Sequence, residues 1–220
     1  MAKSGSSKRW LREHETDLHV KKARREGYRS RSAYKLMEIN ERDRLFKPGM
    51  TVVDLGAAPG GWSQVAQRAV GQGGRVVATD LLDMPSVPGV TFIPGDFTDP
   101  TVVKTVLQAV GEAGADLVLS DLAPNMSGMK TVDQARSMNL AECALSCAQR
   151  VLKSGGSFLV KIFQGEGVEA YVRELRRQFA KVQVRKPRAS RDRSSETYVL
   201  ARGFKPGNSE PAEMVYSVKI

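Results

Sequence analysis

The sequence predicts an α/β domain whose sheet is mostly parallel. Short apolar runs alternate along the chain with segments of helical periodicity, which is the pattern of strands joined by crossover helices. Aspartates stand at the ends of four successive runs, and the first run leads into a turn rich in glycine. Ligands of open α/β sheets lie outside the carboxyl ends of the strands, so we expect the functional site at this edge.

The alternation predicts both the strands and the helices that join them. The predicted strands are residues 51–54, 74–80, 90–94, 116–120, 157–163, 182–185 and 197–202. The predicted helices are one that Ser30 or Ser32 can cap and that runs to about Asp43, followed by 61–70, 101–109, 131–152 and 167–179. Residues 81–89 are too short for a crossover helix, so we expect a loop there. The last two strands are joined by a short basic loop, which permits a hairpin and one antiparallel strand.

The stretch from Val52 to Gln64 reads Val-Val-Asp-Leu-Gly-Ala-Ala-Pro-Gly-Gly-Trp-Ser-Gln, which predicts a strand, a tight turn and the start of a helix. A dinucleotide-binding turn needs glycine where this chain has Ala58, and no Gly-Lys-Ser/Thr of a P-loop follows. Pro59 also removes a backbone donor that phosphate oxygens would use. The turn therefore suits a nucleotide ligand without phosphates, such as the adenosyl group of S-adenosylmethionine. Taken alone, it is equally typical of a structural turn.

Four aspartates at the strand ends indicate how such a ligand would be held. They are Asp54, Asp80, Asp96 and Asp121. Asp80 follows Gly56 at about the spacing at which a carboxylate accepts the hydroxyls of an adenosine ribose, and Asp96 could receive the adenine amino group. Each acid alone is more often a turn or capping residue. Their alignment on one edge favours the ligand site.

The charge predicts a polyanionic partner. The chain carries 34 lysines and arginines against 24 aspartates and glutamates, a net charge of +10, which favours RNA, DNA or an acidic membrane surface over a merely soluble basic protein. One basic cluster is interleaved with Trp10 and Tyr28, which could stack on bases, and comprises Lys8, Arg9, Arg12, Lys21, Lys22, Arg24, Arg25 and Arg29. The other comprises Arg173, Arg176, Arg177, Lys181, Arg185, Lys186, Arg188, Arg191 and Arg193. Two such clusters predict a surface that follows a nucleic-acid backbone.

The rest of the composition narrows the kind of site. Cys143 and Cys147 are the only cysteines, and neither their number nor their spacing suggests a disulfide framework or a zinc site. His14 and His19 have no carboxylate or cysteine cluster beside them, so no metal is expected. No segment has the apolar character of a secretion signal or a membrane span, which predicts a cytoplasmic protein. We expect a basic arm at residues 1–29, one domain at 30–205 and a tail at 206–220.

Residues 121–125, Asp-Leu-Ala-Pro-Asn, limit the acceptor of a methyl group. Enzymes that methylate exocyclic base amines resemble Asp/Asn-Pro-Pro-aromatic at this point, and the aromatic ring is missing here. Methylation of a base carbon usually requires a cysteine beside a proline, and neither cysteine has one. A ribose 2'-hydroxyl is therefore the better acceptor.

Lys161 lies in an apolar strand, where a charge is costly unless it is paired or reaches the strand end. A lone lysine in a strand is usually an edge residue whose ammonium stays in solvent. Here the expected neighbour is Asp121, which offers a partner. Transfer to a hydroxyl requires removal of its proton, and a lysine serves as base only if desolvation or a second cation, such as Lys35, lowers its pKa from about 10.4.

Five segments form a set that spans nearly the whole chain in order. They are Ser32-Ala-Tyr-Lys35, Asp54-Leu-Gly-Ala-Ala-Pro-Gly-Gly-Trp-Ser63, Asp121-Leu-Ala-Pro-Asn-Met-Ser-Gly128, Val160-Lys161 and Arg193-Ser-Ser-Glu196. This set resembles the RrmJ/FtsJ family of ribose 2'-O-methyltransferases. The resemblance implies a Rossmann-like fold with a seven-stranded, mostly parallel sheet, helices on both faces and one antiparallel strand. It also implies S-adenosyl-L-methionine as the cofactor.

The resemblance further implies the site residues. A catalytic Lys-Asp-Lys-Glu tetrad falls on Lys35, Asp121, Lys161 and Glu196, with Lys161 as the principal catalytic lysine. Cofactor contacts are expected at Asp54, Gly56, Pro59, Gly60, Trp62, Asp80, Asp96 and Asp121. On their own, Lys35 and Glu196 would be assigned as solvated surface residues. Their occurrence together with Asp121 and Lys161 favours the tetrad.

The resemblance implies a substrate as well. Single-domain bacterial members of the family methylate a uridine ribose of large-subunit (23S) ribosomal RNA. We therefore expect a monomer that acts on this RNA within the assembled 50S subunit, because one domain offers a small recognition surface. A methyltransferase for transfer RNA or for the messenger-RNA cap, and an RNA-binding assembly factor without turnover, are the alternatives.

Overall fold

The computed structural model describes residues 17–191 and 194–207, which build a seven-stranded sheet with helices on both faces. The strands are β1 (Thr51–Leu55), β2 (Arg75–Asp80), β3 (Val90–Pro94), β4 (Ala115–Ser120), β5 (Leu152–Phe163), β6 (Phe179–Arg185) and β7 (Glu196–Phe204). Their order across the sheet is β3-β2-β1-β4-β5-β7-β6. The predicted fold class is confirmed. Predictions for residues 1–16, Arg193 and tail residues 208–220 lie outside the described residues.

One strand runs against its neighbours. The pairs β1–β2, β1–β4, β2–β3 and β4–β5 are parallel, whereas β7 lies antiparallel between β5 and β6. Residues 186–195 are too few for a crossover helix, so β7 returns beside β6 as a hairpin. The predicted antiparallel strand is confirmed.

The helices of the described residues include the five that the sequence predicts. They are α1 (Leu18–Arg25), α2 (Ser32–Asp43), α3 (Gly61–Val70), α4 (Pro100–Val110), α5 (Lys130–Val151) and α6 (Val168–Gln178). The sequence did not predict α1, which lies in the basic arm and whose cap is Asp17, accepting the backbone N–H of His19. Residues 81–89 form a loop, as predicted.

The predicted serine cap of α2 is wrong. The residue before the helix is Arg31, whose side chain makes no capping hydrogen bond. The hydroxyls of Ser30 and Ser32 instead share a hydrogen bond of 2.6 Å with each other. A hydroxyl paired in this way does not reach the free backbone N–H groups of the first turn.

Both faces of the sheet are apolar, and successive residues of a strand belong to the cores on opposite faces. Val53 and Leu55 of β1 belong to the core that packs α4, α5 and α6. Val52, on the same strand, belongs to the core that packs α2 and α3. Successive side chains of a strand point to opposite faces, so a central strand covered on both sides is apolar throughout.

Helix α1 and the loop between β6 and β7 pack beside α2. Ala23, Tyr34 and Ala189 share a small apolar cluster. Glu38 of α2 accepts the backbone N–H groups of Arg188 and Ala189 at 2.6 and 3.0 Å. The exposed basic residues of α1 are therefore brought near those of this loop, although the two segments are far apart in sequence.

The fold divides the second basic cluster that the sequence analysis treated as one. Arg173, Arg176 and Arg177 lie on α6, which packs on the face of the sheet opposite α2. Arg185 is buried, and its Nε and Nη2 donate to the Asp43 carboxylate at 2.7 and 2.6 Å. Arg188 and Arg191 are the members that lie near α1. The members of the second cluster therefore lie on different sides of the sheet, because a run of charges in the sequence carries no information about the side on which each residue lies.

The ion pair of Arg185 with Asp43 predicts a large stability effect. The hydrogen bond from Arg185 lowers the pKa of Asp43, so the carboxylate is ionised at neutral pH. Arg185→Ala would leave that charge buried without its partner and is expected to lower the free energy of unfolding by about 3 kcal/mol. Urea unfolding measures the change. Lys181→Ala, an exposed position on the same strand, is the control, and an equal effect of the two substitutions would contradict the role of the pair.

Candidate active site

A cleft opens at the carboxyl edge of the sheet. From β1 the chain continues to β2 and β3 on one side and to β4 and β5 on the other, so the loop after β1 lies at the topological switch point. The free volume of the cleft, with the open solvent at its mouth included, is about 270 Å³. Its lining residues are Ser30, Ser32, Asp54, Gly56, Ala57, Ala58, Pro59, Gly61, Trp62 and Asp121.

Asp80 holds the loop that follows β1. Its carboxylate accepts the N–H of Ala58 at 2.9 Å and that of Leu82 at 2.8 Å, and so joins this loop to the end of β2. Asp80 is half-buried. A carboxylate has about four acceptor positions, so Asp80 retains capacity for the hydroxyls of a ligand.

Gly56 is required by its surroundings. Its φ angle is +72°, and a Cβ there would stand 2.1 Å from Leu122 Cδ2. Other residues rarely adopt this backbone conformation, and the space is already filled. The first glycine of the loop therefore lets the segment after β4 approach the end of β1.

Asp54 is a buried acid with a raised pKa. It is 1 % exposed, and Ser63 Oγ donates to it at 2.6 Å. Burial raises the pKa of Asp54 to about 7; the hydrogen bond from Ser63 opposes this, and the nearby charges of Asp121 and Asp80 add to it. The three aspartates thus form one electrostatic group, of which Asp54 and Asp121 line the cleft and Asp80 does not.

The remaining residues predicted to bind the cofactor occupy different places. Pro59 lines the cleft, whereas Gly60 and Asp96 are not among the lining residues. The Asp96 carboxylate accepts the N–H and the hydroxyl of Thr98 at 2.8 and 2.7 Å. The indole of Trp62 is buried and donates Nε1–H to the Ser32 carbonyl at 2.8 Å. Any contact of Trp62 with a ligand is therefore left to its backbone.

The residues of the predicted tetrad lie at the carboxyl edge of an otherwise apolar face of the sheet. Leu119 and Leu159 belong to the core beneath α2 and α3. Two residues further along the chain stand Asp121, just after β4, and Lys161 in β5. Side chains two apart in a strand share a face, so the same face is apolar in its middle and charged at its carboxyl edge.

The tetrad consists of two ion pairs. Lys161 Nζ donates to the Asp121 carbonyl at 2.7 Å and lies 3.2 Å from Asp121 Oδ1. Lys35 Nζ lies 2.6 Å from Glu196 Oε1. Burial acts to raise the pKa of Glu196, but the Lys35 ammonium, a hydrogen bond from Ser190 and the charge of Lys161 together outweigh it, so the pKa is lowered. Four residues spread over the chain are thus brought together as charged partners.

Tyr198 connects the two pairs and is not among the residues predicted from the sequence. It stands opposite Lys161 in the pairing of β5 with β7. Its hydroxyl donates to Asp121 Oδ1 at 2.7 Å, and Lys35 Nζ lies 5.9 Å from its ring centre. Burial raises the pKa of Tyr198 well above its usual range, so the hydroxyl stays a donor. Its spacing of two residues from Glu196 was the signal that could have found it.

The lining suits a cationic ligand without phosphates. It carries the carboxylates of Asp54 and Asp121 and the hydroxyls of Ser30 and Ser32, and no lysine or arginine is among the lining residues of the described chain. A phosphate would find no counter-charge in this lining, whereas a sulfonium or an ammonium gains from the carboxylates. S-adenosylmethionine, which carries both cations, fits this set of groups.

The sequence predicts no metal site, and in the described part of the chain the potential ligand side chains are not gathered into one. There, no group of three or more His, Cys, Asp or Glu side chains is arranged to hold a metal ion. None of the helices at residues 17–191 and 194–207 is long and apolar enough to cross a membrane. Cys143 and Cys147 are free thiols, and burial raises the pKa of both, that of Cys147 to about 12. Cys147 lies in the core beneath α5, and the half-buried Cys143 packs against that core.

Comparisons with known proteins point to one family. The chain matches the FtsJ-like methyltransferase family over residues 28–204. Ribosomal RNA large subunit methyltransferase E of Pseudomonas paraeruginosa is 60% identical over 205 residues, which cover 93% of this chain and 99% of that protein. The protein of the same name from Pseudomonas fluorescens is 58% identical over 210 residues, covering 96% and 100%. A solved Plasmodium falciparum structure, assigned to the ribosomal RNA methyltransferases, has a TM-score of 0.72 at 26% identity and covers 80% of this chain and 98% of its own.

Asp54 predicts a pH dependence of stability. Its pKa is about 7 in the folded chain and about 3.9 in an unfolded one. The folded state therefore binds the extra proton between these values. The stability that this group contributes is complete below about pH 4 and is lost as the pH rises through about 7.

Asp54→Asn cannot ionise but keeps an acceptor for Ser63. Its stability relative to the wild type is therefore expected to rise from about pH 5 to about pH 8. Urea unfolding of both proteins across this range measures the difference, in which all other titrating groups cancel. A difference that stays constant with pH would be inconsistent with a buried acid of raised pKa.

Proposed function

The chain belongs to the FtsJ-like methyltransferase family, and we propose that it methylates a ribose 2'-hydroxyl, that of a uridine, in large-subunit (23S) ribosomal RNA. The observation that carries this proposal is the pair of Lys161 and Asp121 at the edge of a cleft suited to S-adenosylmethionine. The substrate class is supported by the shared name of relatives that are 60% and 58% identical.

The cofactor would be held by groups at the strand ends. Bound S-adenosylmethionine supplies a methyl group made electrophilic by a sulfonium. Asp80 has acceptor capacity for the ribose hydroxyls, and Asp96 is assigned to the adenine amino group. The backbone of the loop at Gly56 and Pro59 offers a surface without phosphate-binding charge. The carboxylate of Asp121 lines the same cleft and favours a cation there.

Lys161 is assigned to the proton of the acceptor hydroxyl. The Asp121 carbonyl and carboxylate both contact its Nζ and so fix the direction of the amine. As the ribose oxygen forms its bond to the methyl carbon, the carbon–sulfur bond breaks and the hydroxyl proton has to leave. Lys161 would accept this proton as a neutral amine, or steer it to solvent as an ammonium. A group held in this way avoids the entropy cost of finding its position during the reaction.

Lys35, Glu196 and Tyr198 complete the acceptor side. Glu196 holds the Lys35 ammonium in place at 2.6 Å, where it can donate to the oxygens of a bound ribose. Tyr198 donates to the same Asp121 oxygen that contacts Lys161 and so restricts the carboxylate rotamer. We therefore assign Lys35 to substrate orientation and Tyr198 to positioning of Asp121.

The RNA is assigned to the side of the molecule that carries α1 and the β6–β7 loop. Lys21, Arg24, Arg25 and Arg188 are exposed there. This surface lies beside the helix that carries Lys35, because α1 and the loop both pack on α2. A single domain offers a small footprint, so we propose the assembled 50S subunit as the substrate, bound by a monomer in the cytoplasm.

Nucleoside mass spectrometry tests the function. Purified protein and S-adenosylmethionine are incubated separately with 50S subunits, free 23S RNA, transfer RNA and capped RNA, each isolated from cells that lack the protein. A 2'-O-methylated uridine in the 50S sample supports the proposal. Methylation confined to transfer RNA or capped RNA would reassign the substrate, and no methylation of any RNA would favour an assembly factor without turnover.

Lys161→Ala is expected to lower the methylation rate by roughly 10²- to 10⁴-fold, because the group that handles the proton is lost. Lys104→Ala, an exposed lysine on α4 across the sheet, is the matched control. Single-turnover assays with saturating cofactor measure the rates. A folded Lys161→Ala protein with the rate of the control would rule out the assigned role.

Tyr198→Phe removes only the hydroxyl that restrains Asp121. We expect kcat to fall by roughly tenfold, as for a lost hydrogen bond to a charged group, with KM for S-adenosylmethionine nearly unchanged. Tyr171→Phe is the control, since its hydroxyl donates to the Ala141 carbonyl at 2.8 Å in the other core. Equal kcat values for the two variants would mean that Tyr198 does not position Asp121 for the reaction.

A further inference from the structure

The linker between α1 and α2, residues 26–31, is fastened along α3, and Arg29 belongs to it. The backbone N–H of Arg29 donates to Gln64 Oε1 at 2.9 Å, and Gln64 Nε2 donates to the Gly27 carbonyl at 3.0 Å. Between these two residues, the Tyr28 ring lies 4.5 Å from the guanidinium carbon of Arg68. Gln64 and Arg68 both belong to α3, the helix that begins at the loop after β1. The N-terminal segment is therefore attached to the cofactor side of the molecule.

The Arg29 guanidinium bridges two loops. Nη1 donates to the carbonyl of Pro59, at 3.3 Å, and to that of Pro85, and Nη2 donates to the Ser86 carbonyl at 2.7 Å. Pro59 belongs to the loop after β1, and the other two belong to the loop between β2 and β3. The cation is thus directed at backbone carbonyls beside the cleft, where its planar set of donors can hold several acceptors at once.

Side-chain packing fits the loops around this bridge. Met84 and Val87 of the second loop are buried against Ala57 of the first. A Cβ on Gly60 would lie 2.9 Å from Met84 Sδ, 3.0 Å from Arg29 Nη1 and 3.2 Å from Val87 Cγ2. The φ angle of Gly60 is +103°, which also favours glycine. The shape of the loop at Gly60 therefore depends on the protein groups that surround it, Arg29 included.

We propose that Arg29 is a positioning residue for the cofactor, which by bridging the loop after β1 to the loop after β2 makes cofactor binding depend on the docked N-terminal segment. The inference rests on the proposed function, which assigns the cofactor. Residues 81–89 have no helix or strand of their own. Without the bridge, this segment no longer supports the loop at Pro59, which lines the cleft. That loop then has to be ordered when the ligand binds, and the loss of entropy weakens binding.

An arginine in a basic segment can instead contact an RNA phosphate, and the two roles are separable by experiment. A phosphate ligand would change affinity for RNA and leave affinity for the cofactor intact. A positioning residue for the cleft would change cofactor affinity when no RNA is present. Arg29→Ala is therefore compared with Arg25→Ala, which removes the same charge from the exposed end of α1.

Isothermal titration calorimetry of the full chain with S-adenosylmethionine, without RNA, measures the effect. The Kd of Arg29→Ala is expected to rise about tenfold or more and that of Arg25→Ala to stay at the wild-type value. Arg29→Lys carries one compact cation that cannot span both loops, so its Kd is expected to lie between those of Arg29→Ala and the wild type. Hydrogen exchange without ligand is expected to be faster at residues 81–89 in Arg29→Ala only, with similar thermal unfolding midpoints.

An unchanged Kd in folded Arg29→Ala overturns the inference, whatever happens to RNA binding. If that variant does not fold, Gln64→Ala takes its place, because it removes the anchor of the linker but leaves the guanidinium. A loss of affinity for S-adenosylmethionine in Gln64→Ala, expected to be smaller than the tenfold loss predicted for Arg29→Ala, supports the inference. No loss overturns it. A wild-type chain that binds no S-adenosylmethionine overturns the proposed function instead. In that case the exchange experiment decides, and unchanged protection of residues 81–89 in Arg29→Ala overturns the bridge.

Discussion

In the antiparallel pairing of β5 with β7, Lys161 stands opposite Tyr198 and Phe163 opposite Glu196. The charged edge of the cleft depends on this register, because a slip of one residue would turn Tyr198 and Glu196 to the other face of the sheet. The register is held by burial of β7 on both sides: Leu200 packs beneath α2 and α3, and Val199 and Ala201 pack in the opposite core. A slip of one residue would also separate Glu196 from Lys35 and Tyr198 from Asp121, and so leave buried charges without their partners.

The charges at this edge are costly to the fold. Two lysines and two carboxylates are largely withdrawn from water, with side-chain exposures between 7% and 16%. The attraction within such pairs seldom exceeds the cost of desolvating them, so they contribute little to stability. The apolar faces of β1, β4 and β5 supply the stability that permits them. Under the proposed function the paired lysines serve the chemistry at the cleft, whereas Arg185 and Asp43 form a buried pair at the opposite end of α2.

Helix α2 connects the three parts of the site. It carries Lys35, it receives α1 and the β6–β7 loop on one side, and it is fastened to α3 by the bond from the Trp62 indole to the Ser32 carbonyl. The linker that precedes α2 runs along α3 to the loop after β1. The surface assigned to RNA, the groups assigned to the acceptor and the cleft assigned to the cofactor thus share one continuous set of contacts.

The sequence by itself determined the alternation of strands and helices, the antiparallel return of β7, the glycine-rich turn after β1 and the row of aspartates at the strand ends. These features follow from local periodicity and from loops too short for any other connection. The four tetrad residues could be named from motif resemblance.

Only the tertiary structure decided which lysine pairs with which carboxylate, that Tyr198 joins the pairs, that the Trp62 indole is buried, and that Arg29 is directed at carbonyls. It alone also showed that Arg185 is buried with Asp43 and that the second basic cluster is divided between two faces. These outcomes depend on contacts between residues far apart in the chain, for which local sequence patterns carry no register.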